Sequence, residues 1–501
     1  MYVMKYGYAR QVNQILLDKY NNGKKLTFMD YYAFQLTSFG LSLFREHLLF
    51  NDRISISQAF MIRCIIEDLA VIRMYDEKDI PEELSELLRG YQFICEYKMY
   101  KRHECLDGKI FNLEEMEKNY NDVKDFYYQK FGTELSSKEF KSIVNSKLPF
   151  LMENYSFHKL IIMYRPELLD IYQYLSIIVH PSELVTNYCY FEIDSLGSVL
   201  KNIFEEISNV IEKYYPNIVV DIKFQWENEC SICFGNGESY SELVKVYKPQ
   251  LDFLRKICNQ IHKNLKLPDD KVCLPEIFFS RLFDELESIL LDRAFGLSEV
   301  IKCKIKPIFE FFAVFYYTLS LDESSEKLIL MEAYTSINFL KILNKDVSDL
   351  IKQVYPIYKN AINKDIEFDK FEALILKKSM PEFLGIKDIN TFVFNMIDGL
   401  IINVLWQRDT FRMLYEESQA LSHGNGYVLA SNDGAFMDSK AACDAIDVLI
   451  LSLIDMYNKI VQKSNSNKMK YDFGKSFLEY QKIHYTKKLK ELEIQKTMKN
   501  Y

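Results

Sequence analysis

Two stretches of this chain repeat one pattern at a fixed distance, and that repeat limits the fold more than any other feature. The run Phe60–Ile72 is answered by Cys303–Phe315, and Glu67 falls on Glu310, an offset of 243 residues (310 − 67). Tyr172 and His180 are answered by Tyr415 and His423, each pair a tyrosine, seven residues and a histidine, and the offset is again 243 (423 − 180). Between and beyond these anchors Ala70, Val71, Asp79, Glu83, Tyr91, Ile94, Lys98, Ile207 and Tyr214 fall on identical residues at 313, 314, 322, 326, 334, 337, 341, 450 and 457. A constant register of this kind is the mark of duplication, and repeats set an architecture before any local signal does. The expectation is two diverged copies of one unit in tandem, related by a pseudo-twofold or a pseudo-translation.

The unit reads as helical. Gly and Pro number only 16 and 11 in 501 residues, too few breakers for a strand-and-turn protein. Tyr and Phe, 35 and 36, supply large side chains to fill the space between helices. Apolar residues recur at three-and-four spacing. In the first copy this predicts helices near 5–20, 30–50, 54–75, 81–104, 112–131, 136–150, 156–179 and 195–214, repeated over about 244–463. The fold class expected is all-α: helical repeat domain 1 over 1–215, a linker at 216–243, helical repeat domain 2 over 244–463 and a basic C-terminal helical tail over 464–501. Within the linker, Ile218–Trp226 has strand-like content and Phe234-Gly-Asn-Gly237 reads as a turn. The tail carries Lys468, Lys470, Lys475, Lys482, Lys487, Lys488, Lys490, Lys496 and Lys499, as a solvated helix or a phosphate-contacting segment would.

Composition excludes several classes. A formal net charge of −9 argues against a nucleic-acid binder of basic type, though not against a local basic patch. The longest apolar run, near Ile305–Leu321, is too short and too interrupted to span a membrane. Ten scattered cysteines and the absence of a signal-peptide pattern at Met1–Arg10 lead to the expectation of a cytoplasmic chain with reduced thiols. Cys230-Ser-Ile-Cys233 has no second pair beside it, so no metal and no cofactor are expected. Phosphate loops, dinucleotide fingerprints, zinc helices and nucleophile elbows are missing from the sequence.

The chemistry-bearing candidates lie on the repeated anchors. Glu310 is the one charge between Lys306 and Asp322, in a helix apolar nearly all round. Such a helix is buried, and a carboxylate inside it must be paired, hydrogen-bonded or protonated. Glu67 holds the same repeat position, and one turn earlier each copy has a base, Arg63 or Lys306, on the same face. Tyr172 and His180, like Tyr415 and His423, lean to one side of their helix. Each histidine stands at a helix C-terminus, where the dipole favours imidazolium. Arg63, Glu67, Tyr172, His180, Lys306, Glu310, Tyr415 and His423 are therefore the candidate catalytic residues. The arrangement supports a polar pocket with Glu and His as acid–base partners. It equally supports a buried network tying helix to helix.

Arg63-x-x-x-Glu67 followed by Tyr172-x-x-x-Ser176-x-x-x-His180-Pro-Ser182 resembles a bacterial all-helical family of unknown function. Members carry an Arg-x-x-x-Glu helix and a later Tyr/Leu-Ser…His helix end. The resemblance covers most of the first copy, while the second has Lys306 and Gln419 where the first has Arg63 and Ser176. A looser likeness is to the HEPN class of helical ribonucleases in toxin–antitoxin and phage-defence systems, which place an arginine a few residues before a histidine. Here Arg412 precedes His423 by 11 residues (423 − 412) and Arg165 precedes His180 by 15 (180 − 165). These resemblances imply a cytosolic bacterial defence- or stress-type protein acting through the Glu/His/Tyr/Arg pocket on RNA or a nucleotide. If an enzyme, it would be a HEPN-like ribonuclease or another hydrolase. The alternative is a non-catalytic helical scaffold that binds a partner protein, with the polar pocket structural.

Overall fold

A computed structural model describes residues 2–49, 55–78, 82, 84–104, 112–131, 156–179, 193–217, 285, 288–289, 292, 297–321, 325–342, 345–399 and 408–421. These are 86% helical, with 15 helices and no strand among the described residues. The linker segment Ile218–Trp226, the helix expected at 136–150, the basic tail, Cys230, Cys233, His180 and His423 lie outside them.

In chain order the first half holds α1 (Tyr2–Asn21), α2 (Phe28–Leu49), α3 (Ile56–Lys78), α4 (Leu84–Arg102) and α5 (Leu113–Phe131). It continues with α6 (Phe157–Tyr164), α7 (Leu169–Val179) and α8 (Ile193–Tyr214). The second half holds α9 (Ser298–Ser320), α10 (Glu326–Ile342), α11 (Ser348–Ala361), α12 (Phe368–Lys377), α13 (Met380–Phe383), α14 (Ile389–Gly399) and α15 (Arg408–Leu421). The sequence pattern predicts one helix over 156–179, but the chain breaks there. Pro166 has no N–H to continue the ladder, so α6 ends at Tyr164, a 3-10 turn spans Pro166–Leu168, and α7 starts afresh.

The two halves meet where α3 packs against α9. Both helices are buried on nearly every side, and the buried residues of α3 run almost without interruption from Ile56 to Ile72. Such helices need partners all round. α3 is covered by α2, α6 and α7, and α9 by α14, α15 and part of α2. The cross-contacts are reciprocal: α4 of the first half packs on α15 of the second, and α10 of the second packs on α7 of the first. One continuous apolar core runs through both halves, from Val12 and Leu36 through Ile65 to Ile308, Phe392 and Leu421. Gly40 allows the closest approach of α8 to α2, since a Cβ there would meet Ile207 at 2.9 Å.

The start of α3 is fixed twice. Ser55 and Gln58 form a reciprocal capping pair, Ser55 N–H donating to Gln58 Oε1 (2.9 Å) and Gln58 N–H to Ser55 Oγ (2.8 Å). The remaining free amides of the first turn, those of Ile56 and Ser57, donate to Glu285 of the second half at 2.7 and 3.0 Å. A carboxylate there satisfies orphan donors and sits at the positive end of the helix dipole.

Candidate functional site

In the first half, α7 packs along α3 and carries Tyr172 to Glu67. The Tyr172 hydroxyl donates to Glu67 Oε1 at 2.9 Å. Arg63, one turn before Glu67, brings its Nε to 3.3 Å of the same oxygen, and its guanidinium lies 5.4 Å from the centre of the Tyr172 ring. Tyr172 and Arg63 thus meet at one carboxylate oxygen, and Arg63 also lies over the tyrosine ring. Burial works against the Arg63 charge, yet Tyr172 and Glu67 beside it outweigh that and hold its pKa above the ordinary value. Tyr172 is pushed up by desolvation first and by Glu67 second, so its hydroxyl stays a proton donor.

In the second half, α15 packs along α9 and carries Tyr415 to Glu310. The Tyr415 hydroxyl donates to Glu310 Oε1 at 3.0 Å. Here the surroundings are aromatic. Phe309 and Tyr415 lie parallel with ring centres 6.3 Å apart, and Phe394 meets Tyr415 edge-on at 6.1 Å. Desolvation pushes the Glu310 carboxyl above its ordinary range, more than Lys306, the Tyr415 hydroxyl and Arg63 pull it down. Arg63 therefore acts on the carboxylates of both halves, through the α3–α9 crossing.

The structure joins Arg63, Glu67 and Tyr172, and Glu310 with Tyr415, while Lys306, one turn before Glu310, acts on it through its charge alone; His180 and His423 lie beyond the described ends of α7 and α15. Solvent access to the two carboxylates is almost nil: Glu67 is 0% and Glu310 2% exposed. Tyr172 and Tyr415 are likewise buried, and the Arg63 side chain keeps 13% of its surface.

Several polar residues absent from the sequence reading stand in the same core. Asp68, beside Glu67, is fully buried and accepts from Gln35 Nε2 at 3.1 Å. Desolvation, and then Glu67, push its carboxyl well up. Ser418 of α15 serves the backbone of α9. Pro307 leaves the Cys303 carbonyl, four residues earlier, without its helical donor. Ser418 Oγ donates to that carbonyl at 3.3 Å and accepts from the Lys306 N–H at 2.6 Å. A serine facing a proline-bearing helix was the available sequence signal, and the position 243 earlier, Leu175, shows no such need because Cys64 stands in place of proline.

The chain matches no protein-family model, no curated protein and no solved structure. Among the described residues no helix is long and apolar enough to cross a membrane, and no group of three or more His, Cys, Asp and Glu is placed to hold a metal ion.

Proposed function

We propose that the two Glu–Tyr clusters are internal ties and that the chain works as a non-catalytic helical scaffold whose outer surface binds a partner protein. The observation carrying this reading is the burial of both carboxylates under apolar helices. A general acid or base must come within hydrogen-bond reach of its substrate. A carboxylate wrapped by its own tyrosine and sealed under α7 or α15 is better placed to hold helices in register. The matching Glu–Tyr bond in the two clusters, with the tyrosine 105 residues after the glutamate in each, supports descent of both halves from one ancestral unit. So does the reciprocity of α4 on α15 and α10 on α7.

A second reading, chemistry on RNA or a nucleotide in a defence or stress setting, has one observation in its favour: the Arg63 side chain beside the first cluster keeps 13% of its surface. Glu67→Gln separates the two. On the scaffold reading it strands Arg63, costs about 3–5 kcal/mol, and lowers the melting midpoint by on the order of ten degrees. Any cellular phenotype then follows protein level. A variant that melts within about two degrees of the unaltered chain, yet loses its phenotype at equal abundance, overturns the scaffold reading.

A further inference from the structure

The densest ionic cluster of the described core is closed. Lys304 of α9, Glu46 of α2 and Asp292 of the second half are fully buried. The Lys304 ammonium donates to both carboxylates, to Ser42 Oγ (3.1 Å) and to Ser288 Oγ (2.7 Å), so its protons are all taken up inside the protein. The open feature lies elsewhere, between α4 and α5. A groove of about 240 Å³ opens there, lined by Glu86 and Phe93 of α4 and by Asn119, Asp122, Val123 and Phe126 of α5. Phe126 is 41% exposed, and Asp122 makes no ion pair among the described residues. Glu86 has only a wide, solvent-exposed pair, with Lys25 at 3.6 Å, and such a pair is worth little. α5 packs chiefly on α4, while Met99, Tyr100 and Met116 seat the two helices on Met413 of α15. Aromatic rings beside carboxylates suit a segment that offers apolar side chains and ammonium groups together.

The chain contains such a segment. Residues 468–501 carry nine lysines and four acids, a net of +5 (9 − 4), which leaves −14 on residues 1–467 (−9 − 5). Within it Leu478, Tyr485, Leu489 and Leu492 fall at helical spacing, the pattern of a basic amphipathic segment. The tail also starts within reach. α15 ends at Leu421 and touches the far end of α4, where Arg102 Nη2 lies 2.9 Å from Glu416 Oε2. Glu86 is 16 residues back along α4 (102 − 86), ~24 Å at the helical rise. The 47 residues from Leu421 to Lys468 (468 − 421) are chain enough for that distance. We infer that the groove between α4 and α5 is the docking site of the chain's own basic tail, which sets an apolar side chain beside Phe93 and Phe126 and lysines on Glu86 and Asp122. Tethering holds the tail at an effective concentration on the order of a millimolar, so in micromolar solution it outcompetes the tail of another copy. The inference is independent of the scaffold reading and of the duplication.

The test is zero-length carbodiimide cross-linking of the full chain, half of it isotopically heavy, at micromolar concentration and low salt. The reagent joins a lysine amine to a carboxylate as an amide and carries off the water as a urea, so each link reports a contact. Mass spectrometry should find lysines of 468–501 on Glu86 and Asp122, light with light and heavy with heavy. These links should be about tenfold more frequent than those to the more exposed Asp349 and Glu367. Phe126→Ala keeps every reactive group, should melt within about two degrees of the unaltered chain, and should lower the groove links about fivefold. Asp122→Lys should lower the link to Glu86 by a similar factor. Equal yields on Asp349 and Glu367 overturn the proposal, since charge alone would then be guiding the tail. Links that mix light and heavy chains overturn it by assigning the tail to another copy. Absence of tail links at Glu86 and Asp122 overturns it outright, as do groove links unchanged in Phe126→Ala. Should Phe126→Ala melt much lower than expected, the Glu86 link in Asp122→Lys decides: a fall supports the docking, an unchanged yield overturns it.

Discussion

The two Glu–Tyr ties share one bond and differ in everything around it. In the first half the carboxylate is held by an arginine that also stacks on the tyrosine. In the second, Phe309 and Phe394 enclose the tyrosine, and a serine mends the backbone that Pro307 breaks. The difference shows what the position demands. A carboxylate buried in an all-apolar helix needs a short, directional donor, and a tyrosine from the next helix supplies it in both halves. The cation is adjustable: a planar guanidinium can pair and stack at once, whereas an ammonium offers a point charge alone.

The largest expected contrast follows from that. Arg63→Met removes the cation that touches Glu67 and also draws down the Glu310 carboxyl. It should cost about 3–5 kcal/mol, since a buried carboxylate loses its counter-charge. Lys306→Met removes the more distant influence on a carboxyl already pushed toward its neutral form, and should cost roughly 1 kcal/mol. Denaturant midpoints of the two variants at equal slope check this; equal losses would mean that the cations play equivalent roles.

A middle-sized effect sharpens the comparison at the backbone. Ser418→Ala leaves the Cys303 carbonyl and the Lys306 N–H without their partner, a loss of about 1–3 kcal/mol. Pro307→Ala restores the helical donor to that carbonyl, so in its presence Ser418→Ala should cost less than half as much. The coupling between the two substitutions is the measurement. Additivity would show that Ser418 acts by packing rather than by mending the ladder.

Much of this was open to a sequence reader, and the limits are physical. The all-α class follows from the scarcity of Gly and Pro and from the apolar period. The cost of burying an unpaired carboxylate demands a partner for Glu310, but it does not choose Tyr415 over Lys306 or His423. The break at Pro166 could have been read from proline alone, but the apolar period runs straight through it. Lys304, Glu46 and Asp292 were hidden for another reason: the first-half and second-half members are about 250 residues apart, and nothing local announces a partner that far away. One clue was there. Lys302, Lys304 and Lys306 alternate in a long apolar helix, and the helical period puts Lys302 and Lys306 on one face and Lys304 on the opposite one. At least one had to point inward, and all three are buried. The role of the histidines stays with the sequence reading, since His180 and His423 fall outside the described residues.

The smallest effect concerns protons, and its sign can be worked out. Desolvation raises the Glu310 carboxyl above its ordinary value of 4.5. The folded chain therefore keeps this proton to a higher pH than the unfolded chain does. A group of this kind contributes stability that is fully present below the ordinary value and is lost as pH rises through the raised one. Asp68 and Asp292, raised by burial from 3.8, act in the same direction. Asp346, Glu382 and Asp388, lowered by neighbouring hydrogen bonds, act in the opposite one. Glu310→Gln keeps an acceptor for the Tyr415 hydroxyl and removes one titrating group. Its melting midpoint should equal that of the unaltered chain near pH 4 and exceed it near pH 7. A midpoint that instead falls further below the unaltered chain as pH rises would mean that ionised Glu310 is the form the fold prefers. The aromatic surroundings of the second tie would then tolerate charge as well as the arginine-bearing first tie does.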